Sequence, residues 1–197
     1  DAAAYLNHLT VRDASKLSVG GVQYTIWCDD AGKIIDDGTL FRLGPDEYRI
    51  CCQERHLPWF LDSALGYDVE VGEVTEEIAA LSLQGPTSCA VLKAAGFDVA
   101  DLKPFRMRTF PFGGGELMVS RTGFTGDLGY ELWTTPDQAL ALWDHIFAAG
   151  APHRIRPIGT HALDMARIGA GVLLTNLGFL PPHPAGGQER GPPPFEA

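Results

Sequence analysis

The sequence predicts an α+β fold made of two related halves, each an antiparallel sheet with packed helices. Three observations predict it. Segments of alternating hydrophobicity are joined by turns too short for a crossover helix, so neighbouring strands run antiparallel. Stretches with apolar residues at helical spacing interrupt groups of strands rather than following each strand, which argues against a doubly wound parallel sheet. The order strand, strand, helix, strand also occurs twice along the 197 residues, 45% of them hydrophobic, a length that can bury one large core or two small ones.

Val22–Cys28 alternates, with Val22, Tyr24, Ile26 and Cys28 on one face, and Asp29-Asp30-Ala31-Gly32 turns the chain before residues 34–43 run back. Gly44-Pro45-Asp46-Glu47 is a second turn and Tyr48–Cys52 a third strand, which completes a meander. Residues 55–65 place Leu57, Phe60, Leu61 and Ala64 at helical spacing. Residues 67–74 alternate again, and 78–83 read as a short apolar strand. Pro86 and Gly96 bracket a helix through Cys89, Val91 and Leu92, because proline suits a first helical turn and glycine the left-handed end. Gly113-Gly114-Gly115 turns a hairpin between 106–112 and 116–121; it lacks the strand–GxGxxG–helix context of a phosphate cradle. A strand led by Tyr130 follows. Thr135-Pro136 then opens a helix ending at Gly150, with Ala139, Leu142, Trp143 and Ile146 as its buried stripe, and a last helix covers about 161–168. Residues 181–197 hold six prolines and three glycines with no periodic apolar pattern, the composition of a linker or disordered tail.

The formal net charge of −10 and a pI near 4.9 argue against a nucleic-acid or anionic-membrane surface. Arg154 and Arg156 bracket Ile155 in a short basic patch, which ordinary solvated charges also explain. No apolar stretch approaches a membrane span and no signal peptide opens the chain, although it begins at Asp1 without a methionine. Cys28, Cys51, Cys52 and Cys89 form neither a CxxC pair nor a zinc spacing, which fits small core residues in a reducing, cytoplasmic compartment. Six scattered histidines give no metal-binding array, so no metal site is expected.

The richest stretch is Ser120-Arg121-Thr122-Gly123-Phe124-Thr125-Gly126-Asp127-Leu128-Gly129-Tyr130-Glu131-Leu132. Three glycines at spacing three puncture a strand-like run, each permitting a tight turn or a close approach to a ligand. They deliver Glu131 among apolar neighbours, where an unpaired carboxylate is costly and calls for hydrogen-bond donors. A salt-bridged Glu on a glycine-rich hairpin fits these residues as well as a ligand-holding one. A pterin edge, with a ring N–H beside an exocyclic amine, would supply two such donors in parallel.

That run resembles the signature of the glycine-cleavage T-protein family, the tetrahydrofolate-dependent aminomethyltransferases and their demethylase relatives. Three more segments resemble it in the family's order: Tyr24-Thr25-Ile26-Trp27-Cys28 leading into Gly32-Lys33-Ile34-Ile35-Asp36-Asp37; Leu83-Gln84-Gly85-Pro86; and Ala162-Leu163-Asp164-Met165-Ala166-Arg167-Ile168-Gly169-Ala170-Gly171. The resemblance runs from the first residues to about Asn176. It implies a folate-binding domain over 1–180, with the opening segment and the following barrel-like domain of the family absent, so that the chain resembles a piece of a family member.

The resemblance also assigns residues. The family's catalytic aspartate falls in the Asp36-Asp37 pair, and motif spacing places it at Asp37. Strand alternation agrees, because Asp37 shares its face with Ile35, Thr39, Phe41 and Leu43, the more apolar set, where a carboxylate would be desolvated and its pKa raised. Tyr24 matches a folate contact, although a cross-strand core aromatic is as good a reading of it. Gln53 stands where the family usually carries a cofactor-facing Asn, and Phe124 where many members have Tyr, so that stacking survives without a phenolic hydrogen bond. Glu131 would fix the pterin. Arg167 matches an arginine near the cofactor and would otherwise pair with Asp164. Gly169 replaces the family's Glu, a departure that puts the geometry around Arg167 in doubt.

The implied function is tetrahydrofolate-dependent transfer of a one-carbon unit from a small-molecule donor, with an aminomethyl-carrying lipoyl protein as an implied partner. Asp37 would help activate the folate nitrogen and stabilise the cationic species electrostatically. Two alternatives share the scaffold: a folate-dependent demethylase of an N-, S- or O-methyl compound, and a non-catalytic folate module of a larger dehydrogenase. The Lys-Gly-Cys motif of the iron–sulphur maintenance relatives does not occur.

Overall fold

Two antiparallel sheets with helices make up the computed structural model, which describes residues 1–174; the segment 181–197, expected as a tail, lies outside them. The architecture is α+β, as the alternating segments and short turns predict. The described chain divides into two compact units, one of Asp1–Val19 with Gln23–Gly72, the other of Gly20–Val22 with Glu73–Leu173.

The first unit carries β1 (Val22–Cys28), β2 (Ile34–Arg42) and β3 (Tyr48–Cys52), in that order across the sheet. Asp29 builds the first turn: its carboxylate accepts from the backbone N–H groups of Ala31 and Lys33 at 3.0 and 2.8 Å. β2 pairs with β3 so that Gly38 faces Cys52 and Leu40 faces Ile50. A side chain at Gly38 would overlap the Cys51 carbonyl, so glycine is what lets these backbones approach. The core joins Leu40 to Tyr5, Leu6 and Leu9 of α1 (Ala2–Leu9), with Phe60 of α2 (Leu57–Ser63) packed against it.

Two features of this unit depart from expectation. α1 was not foreseen, because eight residues give too little periodicity to stand out. Residues 67–74, expected as a strand, form none. Tyr67, Val69 and Val71 pack on the core from an irregular segment, so their alternation records burial of every second side chain without a ladder of hydrogen bonds.

The second unit carries β4 (Ala79–Gln84), α3 (Ser88–Ala94), β5 (Met107–Phe112), β6 (Gly115–Ser120), β7 (Gly129–Thr134), α4 (Ala139–Gly150) and α5 (Thr160–Gly169). Its sheet runs β4-β7-β6-β5, which places β7 between two partners. The β5–β6 hairpin closes at the Phe112–Gly115 pair through Gly113 and Gly114, whose φ values of +59° and +84° suit glycine at both turn positions. Leu92 of α3, Leu117 and Val119 of β6, Leu132 of β7 and Leu142 of α4 meet in a core with Phe97 and Tyr130. The expected order of strand, strand, helix, strand occurs once among the described residues, in β2, β3, α2 and β4; its second occurrence needed a strand over 67–74, which does not form.

The stripe predicted for α4 is half right. Leu142 and Ile146 are buried, but Trp143 is 41% exposed. It lies about 100° round the helix from Leu142 and stacks on Phe147 at i+4, ring centroids 4.4 Å apart, instead of entering the core.

Candidate functional site

The six candidate residues fall three to a unit: Tyr24, Asp37 and Gln53 in the first, Phe124, Glu131 and Arg167 in the second. In the first unit the buried carboxylate is Asp36, 1% exposed, while Asp37 is half-buried. This corrects the face argument, which buried Asp37. The reason is His56, brought from the residue before α2 onto the Asp36 face, where its Nε2 lies 2.8 Å from Asp36 Oδ2. Trp27 packs edge-on against that imidazole, ring centroids 5.5 Å apart. The other oxygen, Asp36 Oδ1, accepts from the Asp37 backbone N–H at 2.8 Å. The Asp36–His56 pair therefore anchors the backbone from which Asp37 projects.

The Asp37 carboxylate accepts a hydrogen bond from the Tyr24 hydroxyl, O···O 2.9 Å. Tyr24 is 44% exposed, which overturns its reading as a core aromatic. Its phenol is pushed up to about 12, first by burial of the hydroxyl and then by Asp37 and the charge of Asp36, so it remains a donor at neutral pH. Gln53 is exposed just beyond β3. Beside it, burial and then the nearby carboxylates push the Cys52 thiol up to about 12, so it is a packing group rather than a nucleophile.

In the second unit, Glu131 lies on β7 opposite Ser82 of β4 and Ser120 of β6. The expectation of apolar neighbours holds for sequence only: Tyr130 and Leu132 point into the core from the opposite face. The carboxylate shares a polar face with Ser120 and with Thr122, whose hydroxyl donates to Glu131 Oε2 at 2.5 Å. Burial still pushes the carboxyl above its usual range, and the Thr122 bond offsets this only in part.

The glycine-spaced loop is held by Gln84 at the end of β4. Its amide donates to Ser82 Oγ, Thr122 O and Tyr130 O at 3.1, 3.4 and 3.4 Å, and its oxygen accepts from Thr125 Oγ1 at 3.2 Å. A Cβ at Gly123 or Gly129 would collide with this amide, and one at Gly126 would collide with Ala170 beyond α5. The glycines are thus contact points, as their spacing suggests. Arg167, 5% exposed, donates from Nε to Asp164 Oδ1 at 2.8 Å and from Nη1 to Val172 O at 3.3 Å. Its guanidinium carbon lies 6.0 Å from the Phe124 ring centroid. The pairing with Asp164 is therefore made, and the same arginine faces Phe124. At Gly169 an added Cβ would meet open space.

The sequence reading missed His56, Ser120, Trp133 and the bracing role of Gln84. Ser120 and Thr122 stood in the quoted run two positions apart, and same-face alternation could have joined them. Nothing local links His56 to Asp36, twenty residues apart.

The matching family model is that of the GCVT N-terminal domain, over residues 1–177, and the chain belongs to that family. Among its relatives, trimethylamine-oxide aldolase of Ruegeria pomeroyi is 38% identical over 191 residues, covering 91% of this chain and 24% of that protein. An aminomethyltransferase of Prosthecochloris aestuarii is 36% identical over 177 residues, covering 86% and 49%. The chain thus spans about half the length of the curated aminomethyltransferases it matches, and about a quarter of the aldolase. The crystal structure of glycine cleavage system aminomethyltransferase T from Bartonella henselae shares the fold, with a TM-score of 0.76 and 24% identity over 89% of this chain and 47% of that one. A chain of the heterotetrameric sarcosine oxidase from Corynebacterium sp. U-96 is a more distant match, with a TM-score of 0.53 at 20% identity, covering 72% and 69%. Among the described residues, no helix is long and apolar enough to cross a membrane.

Proposed function

We propose that this chain is the tetrahydrofolate-holding part of a one-carbon transferase. The observation that carries the reading is Glu131: a carboxylate under a desolvation penalty, on a polar sheet face, behind a loop whose glycines keep side chains away. Such a group gains from a ligand with two adjacent N–H donors, which a pterin edge presents. Glu131 would hold that edge, and Phe124, braced beneath Arg167, would offer a stacking face. Tyr24 and Gln53 would serve as further contacts. Tetrahydrofolate would supply the nitrogen that accepts the carbon.

Asp37 is the group assigned to the chemistry. Its carboxylate, held by the Tyr24 hydroxyl and by an anchored backbone, would keep a negative charge beside the reacting centre and accept a proton there. The donor would be an aminomethyl group, with a lipoyl-carrying protein as partner, which similarity to the aminomethyltransferases supports. A second reading takes an N-methylated amine as donor, supported by the 38% identity to a trimethylamine-oxide aldolase. Turnover with each donor separates the two.

Calorimetric titration of the chain with tetrahydrofolate tests the binding claim. Glu131→Gln keeps the shape but turns a donor toward the ligand's donors, and should weaken binding by about 1–3 kcal/mol. Equal affinity would remove Glu131 from the site. Asp37→Asn should lower turnover sharply while folate affinity stays near that of the wild type, because an interaction made in the transition state is lost from the rate. Asp36→Asn can still accept from the Asp37 N–H and should change either quantity modestly; if a variant of unchanged thermal stability is nevertheless the inactive one, Asp36 takes the catalytic role.

A further inference from the structure

The side chains behind Glu131 form a hydrogen-bond series whose direction is fixed. Trp133 Nε1 donates to Ser120 Oγ at 3.0 Å. Ser120 Oγ and Thr122 Oγ1 lie 2.7 Å apart, and Thr122 Oγ1 donates to Glu131 Oε2 at 2.5 Å. On distance alone either hydroxyl of the middle pair could donate. The ends decide: an indole N–H can only donate, and an ionised carboxylate can only accept. The single Thr122 proton is committed to Glu131, so Ser120 donates to Thr122 and receives from Trp133. Ser120 and Thr122 are 0% and 7% exposed, so water scarcely competes for their lone pairs. Hydrogen bonds in series away from water polarise one another in the same sense.

Sequence and register account for the alignment. Ser120 pairs with Glu131 across β6 and β7, and Trp133 follows Glu131 by two residues, on the same face. Thr122 stands two residues past Ser120, where the chain leaves β6, and the Gln84 amide donates to its carbonyl. Each hydroxyl thus hangs from backbone held on both sides.

We infer that Trp133, Ser120 and Thr122 are positioning residues for Glu131: through the Thr122 hydroxyl they take one acceptor site of Oε2, fix the plane of the carboxylate and leave Oε1 and the second acceptor site of Oε2 for the paired N–H donors of a bound pterin-like heterocycle. This inference rests on the reading of Glu131 as the ligand's anchor. None of the three residues needs to touch the ligand. Their effect is to settle one rotamer before binding, so that less freedom is lost when the ligand arrives.

Titration of the 197-residue chain with tetrahydrofolate decides the matter, with thermal unfolding run on each variant. Thr122→Val keeps the volume and removes the hydroxyl; Thr122→Ser keeps the hydroxyl and removes a methyl. The series predicts affinity about tenfold weaker for Thr122→Val, the loss of one bond to a charged group, and close to wild type for Thr122→Ser. A purely packing role predicts the reverse order, because serine leaves the void. Trp133→Phe, which removes the first donor at a half-buried position, should weaken affinity about threefold. If Thr122→Val does not fold, Trp133→Phe makes the decision alone. Wild-type affinity in the folded variants, together with a loss in Glu131→Gln, overturns the series and leaves the anchor standing. Wild-type affinity in Glu131→Gln overturns the anchor itself.

Discussion

Glu131 works against the stability of the unliganded fold. Its carboxyl titrates above the ordinary range because burial outweighs the Thr122 hydrogen bond. A raised folded-state value means that the folded protein holds the proton longer than the unfolded chain does. The group's contribution is therefore most favourable below the unfolded value and is lost as pH rises through the folded one. At neutral pH the ionised carboxylate is a net cost. Glu131→Gln removes that cost and still accepts from Thr122, so it should unfold at higher temperature than wild type at pH 7. The advantage should vanish below about pH 4, where the wild-type carboxyl is protonated in both states. Thermal scans across pH check this; a variant less stable than wild type at pH 7 would mean that the Thr122 bond outweighs desolvation. The position of Glu131 was legible in the glycine spacing, but its surroundings were not, since cross-strand neighbours such as Ser82 depend on a pairing the local sequence does not encode. The Asp36-Asp37 pair shows the same limit. Both faces of β2 hold buried residues, Ile35 and Phe41 on one and Asp36 and Leu40 on the other, and the carboxylate that is buried is the one His56 meets from twenty residues away.

At the scale of elements, β4 and the glycine-rich loop are joined by one side chain. Gln84 contacts the loop at Thr122 and Thr125 and β7 at Tyr130, and the positions of Gly123 and Gly129 are shaped around its amide. Gly129→Ala forces a methyl into that amide while its own backbone lies outside the left-handed region, so the penalty is steric rather than conformational. The Gln84 side chain can swing aside, so the cost is what its amide gives up, about 0.5–1.5 kcal/mol for a hydrogen bond lost to the loop or β7. In a Gln84→Ala background the same substitution should cost much less, a coupling of at least about 0.5 kcal/mol between contacting positions. Urea unfolding of the four proteins measures it, and strictly additive losses would show that the two residues do not collide. The strands flanking tight turns were the readable elements: Asp29 and Gly32, Gly44-Pro45, and the Gly113-Gly114 hairpin mark β1 to β3 and β5 to β6 closely, because turn chemistry is local. α1, the irregular 67–74 and the exposed Trp143 were misread or missed because each is decided by what lies against it.

Over the whole molecule the charge is unbalanced, with fifteen Lys and Arg against twenty-five Asp and Glu, a formal net charge of −10. A tetrahydrofolate molecule carries carboxylates on its glutamyl tail, so protein and proposed ligand repel at long range. The proposed anchor adds to this repulsion, since Glu131 is itself an acid and the Arg167 guanidinium is already paired with Asp164. Local hydrogen bonds would then hold the pterin while the overall field opposes its approach. Salt screens the field over about 10 Å at 0.1 M but leaves short, buried contacts largely intact. Raising ionic strength from about 0.01 M to about 0.15 M should therefore strengthen tetrahydrofolate binding, and faster association should account for most of the gain. Stopped-flow association and calorimetry at the two ionic strengths would measure both quantities. A nucleic-acid or anionic-lipid binder behaves in the opposite way, losing affinity steeply as salt rises. A steep loss here would mean that the ligand's tail sits in a local basic cradle, with Arg154 and Arg156, both exposed, the first residues to substitute.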